Sequence, residues 1–169
     1  MTEKKKKFNL RFGLITLMVM LAAFSRLIPH PPNFAPIGAM ALFGAAYFSR
    51  RYLALLIPIF SMWLSDLVLN NVVYRAFFDH FVWFYDGFYW TYSSFILIGI
   101  IGFVALKRIN TQKLILASIS ASIVFFLLSN FGVWVSTTMY PKTLSGLLTC
   151  YTAGLPFFKN TILGDFFYT

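Results

Sequence analysis

Along the chain, polar and apolar positions separate into long apolar runs parted by short polar or proline-rich breaks. The first run extends from about Leu10 to Ile28, behind Lys4-Lys5-Lys6-Lys7. It is long enough for a hydrocarbon core of roughly 30 Å. Phe24 and Arg26 fit a signal-peptide cleavage site poorly, so the run reads as a first membrane helix. The four prolines of Pro29-His30-Pro31-Pro32-Asn33-Phe34-Ala35-Pro36 end it, because proline cannot continue a helix. Further spans follow at about 37–49, 52–70, 91–106, 114–136 and 144–168, with Pro58 marking a kink in the third and Gly154-Leu155-Pro156 an interruption in the sixth. The second run is too short to cross upright and is read as a true crossing lengthened at its ends. Between the third and fourth spans, residues 71–90 form a long aromatic loop, expected outside as an interfacial segment or a lid. The pattern predicts an all-α polytopic membrane helix bundle of about six transmembrane helices, a single integral membrane domain over 1–169.

Charge placement sets the orientation. With residues 1–9 as a cytoplasmic basic tail, Lys4, Lys5, Lys6, Lys7, Arg11, Arg50, Arg51, Lys107, Arg108 and Lys113 fall inside, ten of the fourteen basic residues. The positive-inside rule then puts both the N- and C-termini in the cytoplasm. Composition agrees with a membrane solvent: the chain is 59% hydrophobic and 11% charged, and its mean hydropathy is +0.75. Cys150 is the one cysteine, which excludes an intrachain disulfide scaffold. The net charge of +9 does not indicate a nucleic-acid binder, since the basic residues flank apolar segments instead of forming one stripe.

Polar groups inside spans are costly, and their depth is informative. Counting about 1.5 Å per residue, Asp66 and Asn130 lie in the outer part of the third and fifth spans. Tyr151 and Cys150 lie near the outer start of the sixth, and Arg26, His30 and Asn33 flank the outer end of the first. Arg26, Asn33, Asp66, Asn130, Trp134 and Tyr151 are therefore the candidate ligand-binding set. An Arg26–Asp66 pair, interhelical bonding by Asn130, and an aromatic belt containing Trp134 are the structural alternatives for the same residues. Lys159 snorkels inward or pairs with Asp165, which is expected near the cytoplasmic end. In the second span Gly38, Ala41 and Ala45 form a small-residue stripe, suited to close helix packing or to docking a separate subunit. No metal-ligand spacing, phosphate-binding glycine loop or serine–histidine pair is present, so no enzyme, metal or cofactor is expected.

The segment from Arg26 to Ala45, Ser65-Asp66-Leu67, Asn130-Phe131-Gly132-Val133-Trp134 and Tyr140-Pro141 with Gly146-Leu147, Cys150-Tyr151 and Pro156-Phe157-Phe158 resemble a bacterial family of small membrane transport proteins of unknown function. More distantly, the pattern resembles the substrate-binding S components of energy-coupling-factor vitamin transporters. That likeness implies six helices, an externally facing pocket and a stripe that docks a separate coupling subunit. Ala41-Leu42-Phe43-Gly44-Ala45 matches the stripe, although on the second helix where the S components carry it on the first. The expectation is an inner-membrane, multi-pass transport protein that captures a small, micronutrient or vitamin-like molecule from the extracytoplasmic side. A coupling or energising membrane subunit is the expected partner, and nucleic acid is not. The alternative is a non-transporting accessory or structural subunit of a membrane complex, with the stripe as its assembly face.

Overall fold

A computed structural model describes residues 10–169; the basic tail 1–9 lies outside the described residues. The fold is all-helical, with six α-helices: α1 Leu10–Ser25, α2 Ile37–Tyr47, α3 Arg51–Val68, α4 Phe88–Ala105, α5 Thr111–Ser136 and α6 Leu144–Tyr168. Among the described residues, three helical stretches have the length and apolarity to cross a membrane: Arg51–Val73, Phe88–Ala105 and Thr111–Ser136. The first of these continues α3 through a π turn over Leu69–Val73.

The bundle has one strongly basic end. Tyr47, Leu106, Ile109 and Leu114 line one groove there, which brings the α2–α3 and α4–α5 connections together. Arg11, Arg50, Arg51, Lys107, Arg108 and Lys113 belong to this end, and all are exposed. The opposite end holds residues 69–87, the start of α4, the end of α5 and the start of α6. There Lys142 donates to the carbonyls of Trp134, Val135 and Thr137, the orphan acceptors at the C-terminus of α5. A cation is favoured at that helix end by the dipole.

Two expectations are corrected by the helix bounds. The second apolar run does not lengthen as a helix: α2 has 11 residues, roughly 16 Å at the α-helical rise. The Gly154-Leu155-Pro156 stretch does not interrupt the last helix, because α6 runs through Pro156 for 25 residues.

The segment between α1 and α2 is non-helical and in part buried. Asn33 takes a left-handed conformation (φ 62°), Phe34 N–H closes a turn onto Pro31, and Ala35 and Pro36 are buried. Buried non-helical backbone needs protein partners and cover. The far half of α6 provides that cover. Asn160 donates to the Pro32 carbonyl at 2.9 Å. Gly164 lets α6 approach the Ala35 backbone, where an added Cβ would sit 3.0 Å from the Ala35 nitrogen. Asp165 reaches the first turn of α2.

Candidate functional site

Asp165 is 1% exposed, and no cation faces it among the described residues. Its carboxylate accepts from Ser122 Oγ at 2.6 Å and from the Ala39 backbone N–H at 3.3 Å, with the Gly38 N–H also bonded. Pro36, at the cap position of α2, supplies no side-chain cap, so Asp165 performs that task from a helix more than a hundred residues away. Ser122 lies eleven residues into α5, roughly 16 Å along a helix of about 39 Å. The N-terminus of α2 is thus held near half height in the bundle. Of the two alternatives for Lys159, the pair with Asp165 does not form among the described residues; the carboxylate serves backbone amides and Ser122 instead.

A second buried carboxylate lies toward the opposite end. Asp66 is 5% exposed and meets Arg26 at 2.7 Å; Arg26 also donates to Ser65 Oγ at 2.8 Å. The Tyr92 hydroxyl donates to the other Asp66 oxygen at 2.8 Å. This cluster joins α1, α3 and α4. Tyr85, before α4, shares its electrostatic field. Burial first, and the neighbouring Asp66 carboxylate second, push the Tyr85 hydroxyl up to about 12. It therefore keeps its proton at neutral pH.

Two adjoining cavities open beside this cluster. One, of ≈740 Å³, lies between the start of α4 and the end of α5 and is lined by Tyr85, Asp86, Tyr89, Trp90, Ser136 and their neighbours. The other, of ≈400 Å³, is lined by Pro32, Asn33, Phe125, Asn130, Tyr140, Cys150, Gly154 and neighbouring residues. Thr91, Ser129 and Val133 line both, so they form one continuous cleft. Volumes of this order suit a small organic ligand.

The six sequence-derived candidates divide in the structure. Asn33 and Asn130 line the smaller cavity together. Asn130 also donates to the Phe126 carbonyl, and its amide packs against Gly154, where a Cβ would collide with it. Arg26 and Asp66 sit together but outside the lining of both cavities. Trp134 and Tyr151 are also outside that lining; Trp134 donates to the Pro141 carbonyl and Tyr151 to Leu127.

The small-residue stripe is occupied by the chain itself. A Cβ on Gly38 would lie 2.6 Å from Asp165 Oδ1, and Ala41 is buried. A Cβ on Gly102 of α4 would lie 2.6 Å from the Ala45 Cβ. The seam thus packs α2 against α4 and α6 within this chain, the close-packing alternative for these residues. Sequence reasoning passed over Tyr85, Thr91, Ser129 and Ser136, ordinary residues with no motif to mark them. It also passed over the capping role of Asp165, which a helix start lacking its own Ser, Thr, Asp or Asn cap would have hinted at.

Residues 6–169 match the model of a family described as a family of unknown function (DUF6580), and the chain belongs to that family. No curated protein and no solved structure matches the chain, and the family match carries no likeness to the energy-coupling-factor S components.

Proposed function

We propose that this protein is a multi-pass protein of the bacterial inner membrane that captures a small molecule from the extracytoplasmic side for transport. The observation that carries the reading is the continuous cleft between α4, α5, α6 and the Pro32–Asn33 turn, opening at the end of the bundle opposite its basic connections. The clustering of Arg11, Arg50, Arg51, Lys107, Arg108 and Lys113 at the other end supports placing that end in the cytoplasm, and the chain termini with it. The cleft then faces outward. Its lining mixes aromatic rings with hydroxyls and the Asn33 and Asn130 amides, the few convergent polar groups on an apolar background that a ligand site needs.

In this reading Asn33, Asn130, Thr91 and Ser129 contact the ligand, while Arg26 and Asp66 hold the scaffold behind it. Trp134 and Tyr151 anchor neighbouring backbone. Energy for transport comes from a gradient or a separate coupling subunit, which must dock on a face other than the Gly38–Ala41–Ala45 seam. Native mass spectrometry of protein purified from its own membrane tests the reading. A retained small molecule, reduced about tenfold in occupancy by Thr91→Val with Ser129→Ala, is the expected result, corresponding to the loss of one or two hydrogen bonds. Retention unaffected by those substitutions would move the site elsewhere, and no retained molecule together with no uptake would count against capture.

A further inference from the structure

The chemical class of the ligand can be narrowed from the charges and rings that line the larger part of the cleft; this step rests on the capture reading above. Among the lining residues there is one formally charged side chain, Asp86, and it is exposed. No basic side chain lines either cavity. Of the cations nearby, Arg26 is paired with Asp66, whereas Lys142, on three carbonyls at the end of α5, and Arg75, on the Phe78 carbonyl, keep their charge but lie outside the lining. An anionic ligand would find no cationic side chain on the lining and would face Asp86 there.

The aromatic residues are arranged differently from a general apolar wall. Tyr85, Tyr89 and Trp90 all line the cavity. The Tyr89 hydroxyl and the Trp90 indole N–H both bond Ser136 Oγ, at 2.9 and 3.2 Å. Their polar tips are thus held against α5, and their rings lie 5.4 Å apart between centroids, tilted by 47°. These rings line the same cavity as the Asp86 carboxylate. That combination attracts a cation whose charge is dispersed and weakly hydrated. The helix ends flanking the cleft are opposite in sign, since α4 begins and α5 ends there, so they offset one another.

We infer that the cleft takes a small organic cation, a quaternary or protonated amine joined to a flat ring, with Asp86 as countercharge and Tyr89 and Trp90 as the aromatic wall. Calorimetric titration of the full-length protein in a neutral detergent tests this with three probes: benzyltrimethylammonium, its uncharged tert-butyl isostere, and benzenesulfonate. The cation is expected to bind at least about tenfold tighter than its isostere, and benzenesulfonate not at all. Asp86→Asn and Tyr89→Leu should each weaken the cation about tenfold. Asp79→Asn, an exposed loop carboxylate outside the cleft lining, should not. Gel filtration of each variant confirms that it folds. Equal binding of cation and isostere, preference for the sulfonate, or an unchanged Asp86→Asn affinity overturns the proposal. If the mass spectrum of the native protein meanwhile shows a retained neutral molecule that is lost with the Thr91 and Ser129 substitutions, the class is wrong and capture stands.

Discussion

Asp66 and Asp165 are both buried carboxylates on long helices, 5% and 1% exposed, yet a guanidinium meets one while backbone amides and a hydroxyl meet the other. The difference follows from what each must join. Asp66 ties the end of α1 to α3 and α4 through side chains alone, Arg26 and Tyr92 each meeting one of its oxygens. Asp165 ties α6 to the interrupted segment before α2, where amide groups are left over by the broken backbone. A cation there would leave the α2 amides unpaired; a carboxylate matches both their hydrogen bonds and the helix dipole. One carboxylate is therefore replaceable together with its partner, and the other is not.

The largest expected effect tests that asymmetry. Asp165→Leu removes the acceptor for two buried amides and for Ser122, at about 5 kcal/mol if each charged hydrogen bond carries its usual share. Aggregation on gel filtration, or a collapse of the thermal midpoint in detergent, is the outcome expected. No substitution at Ser122 should restore it, because the α2 amides stay orphaned. A stable Asp165→Leu protein would mean that α2 does not depend on its remote cap.

Asp66→Leu should cost less, about 3 kcal/mol, the lower end for stranding one member of a buried pair. Arg26 keeps 14% of its side-chain surface and still reaches Ser65, which softens the loss. The Arg26→Leu/Asp66→Leu double variant should recover most of that stability, since neither charge is then left buried alone. Failure to recover would show that the pair contributes more than mutual neutralisation.

Gly38→Ala sharpens the comparison from the backbone side. The added methyl would stand 2.6 Å from Asp165 Oδ1, so either α6 shifts or the cap is lost, at about 2 kcal/mol for an overpacked core site. The same change at Gly87, whose φ is 77° and where the added methyl would meet only Trp90 Cδ1, at 3.9 Å, strains only the local backbone by about 1 kcal/mol. Thermal unfolding of the two variants side by side should rank them in that order.

These contrasts also explain which parts of the molecule are legible in the sequence. Apolar runs mark the helices because lipid-facing positions need no alternation: α5 carries Ile115, Leu116, Ile123 and Leu127 exposed on an otherwise ordinary helix. The break before α2 is written in its four prolines. Arg26 and Asp66 can be paired from depth alone, because each lies about fifteen residues along a helix from the basic end. Depth does not reveal direction around the helix axis, so Trp134 and Tyr151 could not be separated from Asn33 and Asn130. Nor does it reveal that α6 stops short of the level where α5 begins. Thr169 is bonded to Ser118, seven residues into α5, which puts the end of α6 roughly 10 Å from that level. The small-residue stripe was legible as a seam, but whether its other side is this chain or another is a tertiary fact. Gly102 and Asp165 are what decide it.

The smallest expected effect concerns Tyr85, which senses the Asp66 cluster from the loop. Its hydroxyl is raised from 10.0 to about 12, by burial first and by the Asp66 carboxylate second. A group that holds its proton more tightly when folded contributes stability that is complete below the unfolded value and lost as pH rises through the folded one. The contribution is therefore intact up to about pH 10 and gone by about pH 12. At pH 11 the folded protein and its Tyr85→Phe variant should show the same tyrosinate absorbance, because Tyr85 is not yet ionised. After unfolding at that pH the variant should fall short by one tyrosinate. Asp66→Asn should lower the Tyr85 ionisation only in part, since burial remains the larger cause, whereas Asp165→Asn should leave it unmoved. A Tyr85 that ionises at its ordinary value would show that neither burial nor Asp66 acts on its hydroxyl.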